Sequence, residues 1–354
     1  MTKRILYIGW VGFGNQGDDL CYEIFVNTMS KKAQERDIKL DIKGIYPASF
    51  TEFSLARLDP DLVVLGAGSL FEPVYLKPLV LANQNSIPTA IWGSGYDSML
   101  QSPIDPSNID RDSAFMIRQV VQHAQLVGIR GPYTMEMLEA IGASHADLHI
   151  VGDPGLLLDQ KEASAPLPEL DDANSPIIAV NWGTASNKVL GGDEKKVAAD
   201  LRDALRHLGD EATIVIYPVW PKDIAACRSL HQDLDHPNCI LLDRVPSMDE
   251  LITLYTKSIF SVNMKLHANV FSAACGCPFL CLAYRMKGFD FASSLDLTEF
   301  TILFSDPDRK EKMQNAMETL QRNAEGERKR LREKSEQYRT KLSLLTDSML
   351  SLLN

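Results

Sequence analysis

Short apolar runs closed by glycine or small-residue turns alternate with helical segments along most of the chain, in two successive series. The first runs RILYIGW, an amphipathic helix from about Asp18, KLDIKGIY, DLVVLGAG, TAIWGSG, a helix near Ser113 to His123, LVGIRG, a helix from Tyr133, and LHIVGD. The second runs IIAVNWG, a helix from about Glu194 to Leu208, TIVIYPVW, a helix near Asp223 to Leu234, CILLDRV, a helix from Ser247 to Tyr255, SIFSVNMKLH, a helix from Ala268 to Cys275, and PFLCLAY. A strand that must re-enter its sheet from the same end needs a crossover, so this alternation predicts parallel sheets with helices on both faces. The expected fold class is α/β, with two doubly wound parallel-sheet domains facing a cleft. The segment DQKEASAPLPELDDANSP, rich in proline, acid and small residues, reads as the linker between them. The expected boundaries are 1–160, a linker at 161–176, a second domain at 177–305, and a charged helical tail at 306–354. In the tail Leu320, Leu331, Leu342 and Leu345 fall at helical spacing, which predicts one or two long exposed helices forming a solvated cover over one edge, with packing back across the first domain or self-association as the alternatives.

Length and charge bound the function. A chain of 354 residues with 45% hydrophobic content supports two cores, since single cores stop growing near roughly 250–300 residues. A formal charge of −11 argues against nucleic acid as a partner, because phosphate-backbone binding needs clustered Lys and Arg. Any anion site must therefore be built locally. The six cysteines Cys21, Cys227, Cys239, Cys275, Cys277 and Cys281 form no CxxC pair, so the reading is reduced thiols and no metal site. The chain opens MTKRILYIGWVGFG, straight into a strand and a glycine loop, and no apolar run reaches about 18 residues. The expectation is a cytoplasmic protein without a signal peptide or spanning helix; peripheral association with the inner membrane face and homo-oligomerisation stay open.

Three glycine turns follow strands of the first series. GWVGFGNQGDD, Gly9 to Asp19, is dense in glycine where a ligand can approach backbone, yet it has neither the dinucleotide-binding nor the P-loop spacing. Asn15, Gly17 and Asp18 are its candidate binding residues. Asp18 reads equally as a helix cap or as an acceptor for sugar hydroxyls, and it would repel phosphate. Gly68 and Ser69 follow DLVVL, and Gly93, Ser94 and Gly95 follow TAI and Trp92. In an open parallel sheet that edge is where ligands bind. Arg130, before the helix-starting Pro132, presents a planar fork to a carboxylate or phosphate, or else pairs with a carboxylate such as Asp153.

In the second series the pattern with most chemistry is Lys265-x-His267, at the junction of an apolar run and a small-residue helix. Read as alternate residues of one strand, the two side chains point the same way and together serve an anion and transfer a proton. Lys287 lies just past the last strand and can reach the same crevice, or simply faces solvent. Cys275, Cys277 and Cys281 sit in AACGCPFLCLAY and read as small buried apolar residues.

The ordered series GNQGDD, LGAGSL, IWGSG, GIRGPYTMEMLEAIG, VGDPGLLL and MKLHANVFSAACGCPFLCLAYRMKGFD resembles the polysaccharide pyruvyl transferases from about Gly9 to Lys287. The resemblance implies a fold of paired Rossmann-like domains like that of the GT-B glycosyltransferases. It also implies transfer of pyruvate from phosphoenolpyruvate onto two hydroxyls of a sugar in a cell-surface polysaccharide or its lipid-linked precursor. Phosphoenolpyruvate is then the donor substrate, a sugar or lipid-linked oligosaccharide the acceptor, and no cofactor or metal is required. The family's Arg-x-His element falls on Lys265-x-His267, where lysine keeps the charge and loses the bidentate fork. Its arginine before a Ser-bearing helix falls on Arg130, with Gly131 and Thr134 where an acid and a serine are commoner. The implied roles are His267 as general acid, Lys265 and Arg130 on the donor's phosphate and carboxylate, and Asp18 or Asp153 as base. A sugar-nucleotide glycosyltransferase of the same architecture and a non-catalytic scaffold in polysaccharide assembly are the competing readings.

Overall fold

The computed structural model describes residues 2–98, 109–159, 165–171, 173, 175–186, 193–206, 208 and 211–353. The chain divides into two compact units, one of residues 1–97, 102–157 and 337–354, the other of 98–101 and 158–336. Of the expected linker, residues 161–164, 172 and 174 lie outside the described residues, while Pro168–Leu170 forms a single 3-10 turn with Leu170 buried.

The first unit is a six-stranded parallel sheet in the order β2-β1-β3-β4-β5-β6. Its strands are β1 (Lys3–Ile8), β2 (Leu40–Ile45), β3 (Leu62–Leu65), β4 (Thr89–Ser94), β5 (Leu126–Ile129) and β6 (Leu148–Ile150). Its helices are α1 (Gln16–Gln34), α2 (Glu52–Leu58), α3 (Pro73–Gln84), α4 (Arg111–His123) and α5 (Pro132–Ala140). Because successive strand residues point to opposite faces, β1 serves two cores at once. Leu6 and Ile8 join Leu76, Leu79, Val120, Val121 and Leu138 of α3, α4 and α5 in one cluster. On the alternate positions Tyr7 packs against Phe25 of α1 at 4.9 Å, and Phe25 meets Trp92 at 4.9 Å.

The second unit is also a six-stranded parallel sheet, ordered β12-β11-β10-β7-β8-β9. Its strands are β7 (Ile177–Asn181), β8 (Thr213–Tyr217), β9 (Cys239–Leu241), β10 (Ser258–Asn263), β11 (Phe279–Ala283) and β12 (Thr301–Leu303). Its crossover helices are α6 (Glu194–Arg206), α7 (Ile224–Leu234), α8 (Met248–Lys257), α9 (Leu266–Ala274) and α10 (Met286–Ser294). Strands β7, β8 and β11 are buried at every position, which is why they read as unbroken apolar runs rather than alternating ones.

The charged C-terminal segment forms α11 (Arg309–Arg322) and α12 (Ala324–Ser351). It is not a solvated cover: Leu320, Leu331 and Leu342 are all fully buried. Arg309 pairs with Asp200 of α6 at 2.7 Å, and Arg328 donates to the carbonyls of Gly276 (3.0 Å) and Ser258 (2.7 Å). Near the chain's end, within the first unit, Thr346 accepts from the Trp92 indole at 3.3 Å, and Asp347 pairs with Lys32 of α1 and with Arg36 just past that helix. Among the described residues no helix is long and apolar enough to cross a membrane.

Helix α8 carries a capping box that makes a pH prediction. The Ser247 N–H donates to Glu250 at 2.7 Å, the Glu250 N–H returns to Ser247 at 3.3 Å, and Arg244 grips the same carboxylate at 2.6 and 2.8 Å. Arg244 first, then the Ser247 N–H, hold the Glu250 carboxyl at about 2 against an ordinary 4.5. A carboxyl lowered in the folded state stabilises above its unfolded value and loses that contribution as pH falls. Glu250→Gln, which keeps the cap acceptor and loses the attraction of Arg244, should therefore cost about 1 kcal/mol at neutral pH, the upper end for a partly exposed ion pair, with the deficit shrinking between pH 4.5 and about 2. Thermal melts of both proteins across that range check it.

Candidate active site

In open parallel sheets ligands bind outside the carboxyl ends of the strands, where the strand order reverses and successive crossovers leave to opposite faces. In the first unit the reversal falls between β1 and β3, and in the second between β7 and β10. Each candidate site residue lies at or past the carboxyl end of a strand, Gly93 and Ser94 being the last two residues of β4 and not of the turn after it.

In the first unit Asn15 is the N-cap of α1, its side chain accepting from the Gly17 N–H at 3.3 Å. The cap is therefore Asn15 and not Asp18. Asp18 lies in the first turn beside Gly68, where an added Cβ would come 3.4 Å from its Oδ1. Gly68 has φ +111 and Gly93 φ +70, so both turns need the left-handed freedom of glycine. The turns after β3, β4 and β5 are laced together. The Gly95 N–H donates to Gly68 O at 2.8 Å, and the Ser94 hydroxyl to the same carbonyl at 3.4 Å. Arg130 donates to Ser69 Oγ (3.3 Å) and Tyr96 O (3.1 Å), while the Tyr96 N–H reaches Thr134 Oγ1 at 3.0 Å. The Arg130 guanidinium is fully buried and packs on Gly95, where any Cβ would collide with it. Asp153, after β6, is fully buried and accepts from the Gly155 N–H at 3.0 Å. Burial, then Asp153, then Asp18 push up the Cys21 thiol of α1, so both carboxylates act on one point near the helix start.

In the second unit β10 ends at Asn263, and Lys265 is the N-cap of α9 rather than a strand residue. The strand-face argument therefore does not hold; the cap geometry and not the pleat sets where Lys265 points. Its ammonium donates to Thr184 O at 2.8 Å and pairs with Asp223 at 3.1 Å. Asp223 is fully buried, and its Oδ1 also accepts from the Thr184 N–H at 3.0 Å. Burial pushes the Asp223 carboxyl up, against the opposing pull of Lys265 and the Thr184 N–H. Gly183 makes the clasp possible, because a Cβ there would strike both the Asp223 carboxylate and the Lys265 stem. Asn181, at the end of β7, accepts from the Lys265 N–H at 3.0 Å and so ties α9 to the neighbouring strand.

His267 is the second residue of α9, half-buried, with its ring stacked on Phe271 one turn on at 5.9 Å between centroids. Lys287 occupies the matching second position of α10. Its ammonium and that of Lys265 both approach the Tyr284 ring, at 5.7 and 5.5 Å from the centroid. The structure thus gathers Lys265, His267 and Lys287 at the ends of adjacent strands, and adds Asp223, Thr184 and Tyr284, which the sequence did not single out. The only sequence signal for Asp223 was an acid closing the turn after TIVIYPVW. The cysteines are no part of the site: burial raises Cys277 to about 11 and Cys281 to about 12, leaving them as thiols. Among the described residues no group of three or more His, Cys, Asp or Glu side chains is placed to hold a metal ion.

Comparison with solved structures places the fold. The chain matches S. aureus MnaA in complex with UDP with a TM-score of 0.62 at 14% identity, covering 99% of this chain and 95% of that one. It matches UDP-GlcNAc 2-epimerase from Neisseria meningitidis bound to UDP-GlcNAc at 0.59 and 11%, covering 100% and 99%. It matches the α,α-trehalose 6-phosphate synthase of Burkholderia multivorans at 0.62 and 12%, covering 100% and 96%. Two parallel six-stranded units with helices at the C-terminus put the fold in the GT-B-like class. No curated protein matches the sequence. The family model for polysaccharide pyruvyl transferase matches residues 15–285, from the cap of α1 through Lys265, His267 and the residue before α10, and the chain belongs to that family.

Proposed function

We propose that the protein transfers a pyruvyl group from phosphoenolpyruvate onto two hydroxyls of a sugar in a cell-surface polysaccharide or its lipid-linked precursor. The observation that carries this reading is the setting of Lys265, His267 and Lys287 around the starts of two neighbouring helices, within a chain of this family. Helix N-termini present unpaired N–H groups and a positive dipole end, and paired with lysines they suit a small dianion. The second unit holds the donor in this reading, and the first, through Asn15, Gly17, Asp18 and the turns that Arg130 braces, binds the acceptor.

The reaction balances without a cofactor. His267 protonates the methylene carbon of the enol phosphate, and the resulting cationic carbon is attacked by one sugar hydroxyl. The carbon–oxygen bond to phosphate breaks, and the second hydroxyl closes the ketal. Of the two hydroxyl protons lost, one replaces the proton given to the methyl group and one leaves on phosphate. Asp18 takes the role of base toward the acceptor, and Lys265 and Lys287 serve the anionic groups, while the fully buried Arg130 and Asp153 act only by holding the turns of the first unit. Lys265 reaches the anion as half of an ion pair, so the charge that it offers depends on Asp223.

A sugar-nucleotide transferase of the same fold would hold the nucleotide ribose with a carboxylate near α9. That helix, LHANVFSAA, has none, and the buried Asp223 is engaged by Lys265 and Thr184. The direct test is phosphate release from phosphoenolpyruvate over a panel of glycan and lipid-linked acceptors. Turnover should require both donor and acceptor, and His267→Ala should lower it by about 10²–10⁴-fold, the range of a lost general acid. Silence across the panel, with transfer or hydrolysis of a UDP-sugar instead, would sink the reading.

Two substitutions probe the clasp itself. Gly183→Ala should cost about 1–3 kcal/mol by overpacking and should lower turnover with it, as chemical denaturation and the same assay would show. Asp223 titrates above its ordinary value in the fold, so its contribution is full at low pH and is lost as pH rises through the raised value. The stability of the native protein relative to Asp223→Asn should accordingly fall as pH climbs above about 4, the ordinary carboxyl value; a difference independent of pH would refute the assignment.

A further inference from the structure

Four aromatic side chains crowd the reversal point of the first unit, and the chemistry above does not use them. Trp10 and Phe13 lie on the loop after β1, Tyr46 follows β2, and Tyr75 is in the first turns of α3. The order β2-β1-β3 sets that loop between the segments leaving both neighbouring strands. Phe13 stacks on Trp10 at 4.2 Å with 25° between planes. The Tyr46 ring meets Trp10 edge-on at 4.9 Å, Phe13 at 5.1 Å and Tyr75 at 5.9 Å.

Trp10, Tyr46 and Tyr75 root the cluster in the core, but Phe13 is 49% exposed. A phenylalanine serving only as a plug gains about 1.5–3 kcal/mol by full burial, and this one forgoes part of that. Its loop is shaped to keep it outside: Gly12 and Gly14 take φ +90 and +68, and Asp19 Oδ1 accepts the Gly12 N–H at 2.8 Å. An added Cβ at either glycine would meet nothing within 4 Å, so the backbone beside the ring is bare.

The polar groups around the cluster are acidic. Burial, then Glu72, Tyr46 and Asp18 push the Tyr75 phenol up, which places both carboxylates within electrostatic reach of its hydroxyl. Glu72 and Asp97 act on Tyr96 in the same sense, after burial. A phosphate or carboxylate would be repelled here. A neutral pyranose would not: its C–H-rich face meets the negative faces of the rings, and its hydroxyls donate to carboxylate oxygens.

We propose that Phe13, stacked on Trp10 and bordered by Tyr46 and Tyr75, is a platform for an uncharged pyranose ring, with Asp18 and Glu72 accepting its hydroxyls. This deepens the reading above and rests on it only in taking the first unit to bind the acceptor. It makes the acceptor residue a neutral sugar, bound by face stacking without need of the donor's charge. The fluorescence of Trp10 should report the event, since Trp92 and Trp182 are fully buried and Trp220, half-buried, belongs to the second unit.

The test is calorimetric titration of the full chain, without donor, using methyl pyranosides of glucose, galactose, mannose and N-acetylglucosamine. Methyl glucuronide and sorbitol serve as charged and open-chain controls. At least one neutral pyranoside should bind saturably and change tryptophan emission, and both controls should bind more weakly. Phe13→Ala should weaken binding by about tenfold, the scale of one lost aromatic contact, with a melting temperature lowered by no more than about 2–4 °C, since the side chain is half exposed. Trp10→Phe should retain binding while losing most of the emission change. Binding of Phe13→Ala within twofold of the native chain, preference for the glucuronide, or no pyranoside binding at all would overturn the platform. The two readings fail separately. Pyranoside binding without pyruvyl transfer removes the donor assignment alone, and pyruvyl transfer with an unaltered acceptor KM in Phe13→Ala removes the platform alone.

Discussion

A parallel sheet brings every strand to the same edge, and its crossovers can cover both faces only if the strand order reverses somewhere. At that reversal two neighbouring loops part company and leave a gap that no side chain of the sheet fills. Both units are built around such a gap, between β1 and β3 in one and between β7 and β10 in the other. The chain answers the problem differently in each. The first unit fills its edge with glycine turns threaded around the buried Arg130, so the backbone itself is what an incoming molecule would meet. The second spans its gap with the Lys265 ammonium, tied to Thr184 and Asp223, and draws α9 toward β7 through Asn181.

This arrangement suits a lysine at position 265. Lys265 has two fixed partners on its own unit, a carbonyl and a buried carboxylate, and a flexible stem that Gly183 lets through. A point charge suffices for that geometry. Burial holds the Asp223 carboxyl above its ordinary value, against the pull of Lys265 and the Thr184 N–H.

The alternation of strands and helices was legible because the central strands are buried on both faces and their apolar runs are uninterrupted. Helix α3 was not, since Pro73 and Pro78 in a twelve-residue segment read as breaks; Pro73 sits at the tolerated start, and Pro78 forgoes one hydrogen bond inside a helix held by Leu76 and Leu79. The three-residue β12 is too short to show a pattern. The glycine turns, Arg130, Lys265 and His267 could be picked out locally, because each sits beside the strand that precedes it. Asp223 could not, since its role depends on β8 lying next to β7, which only strand order decides. Lys265 was misplaced for a related reason: the apolar character of SIFSVNM continues past the last ladder residue, and nothing local marks Asn263 as the end. The C-terminal leucines read as surface because their neighbours are charged, yet the arginines among those neighbours make buried bonds.

The free thiols give the two units a common property. Cys21, Cys227, Cys275, Cys277 and Cys281 are buried, and desolvation holds Cys239 and Cys281 near 12 and Cys277 near 11. A thiol in that condition is chemically silent while its surroundings stay closed, and becomes an ordinary nucleophile once they open. Cys21 lies in α1 of the first unit, and Cys227, Cys275, Cys277 and Cys281 lie in the second. Each unit therefore carries its own timer of local opening, written into residues that take no part in the chemistry.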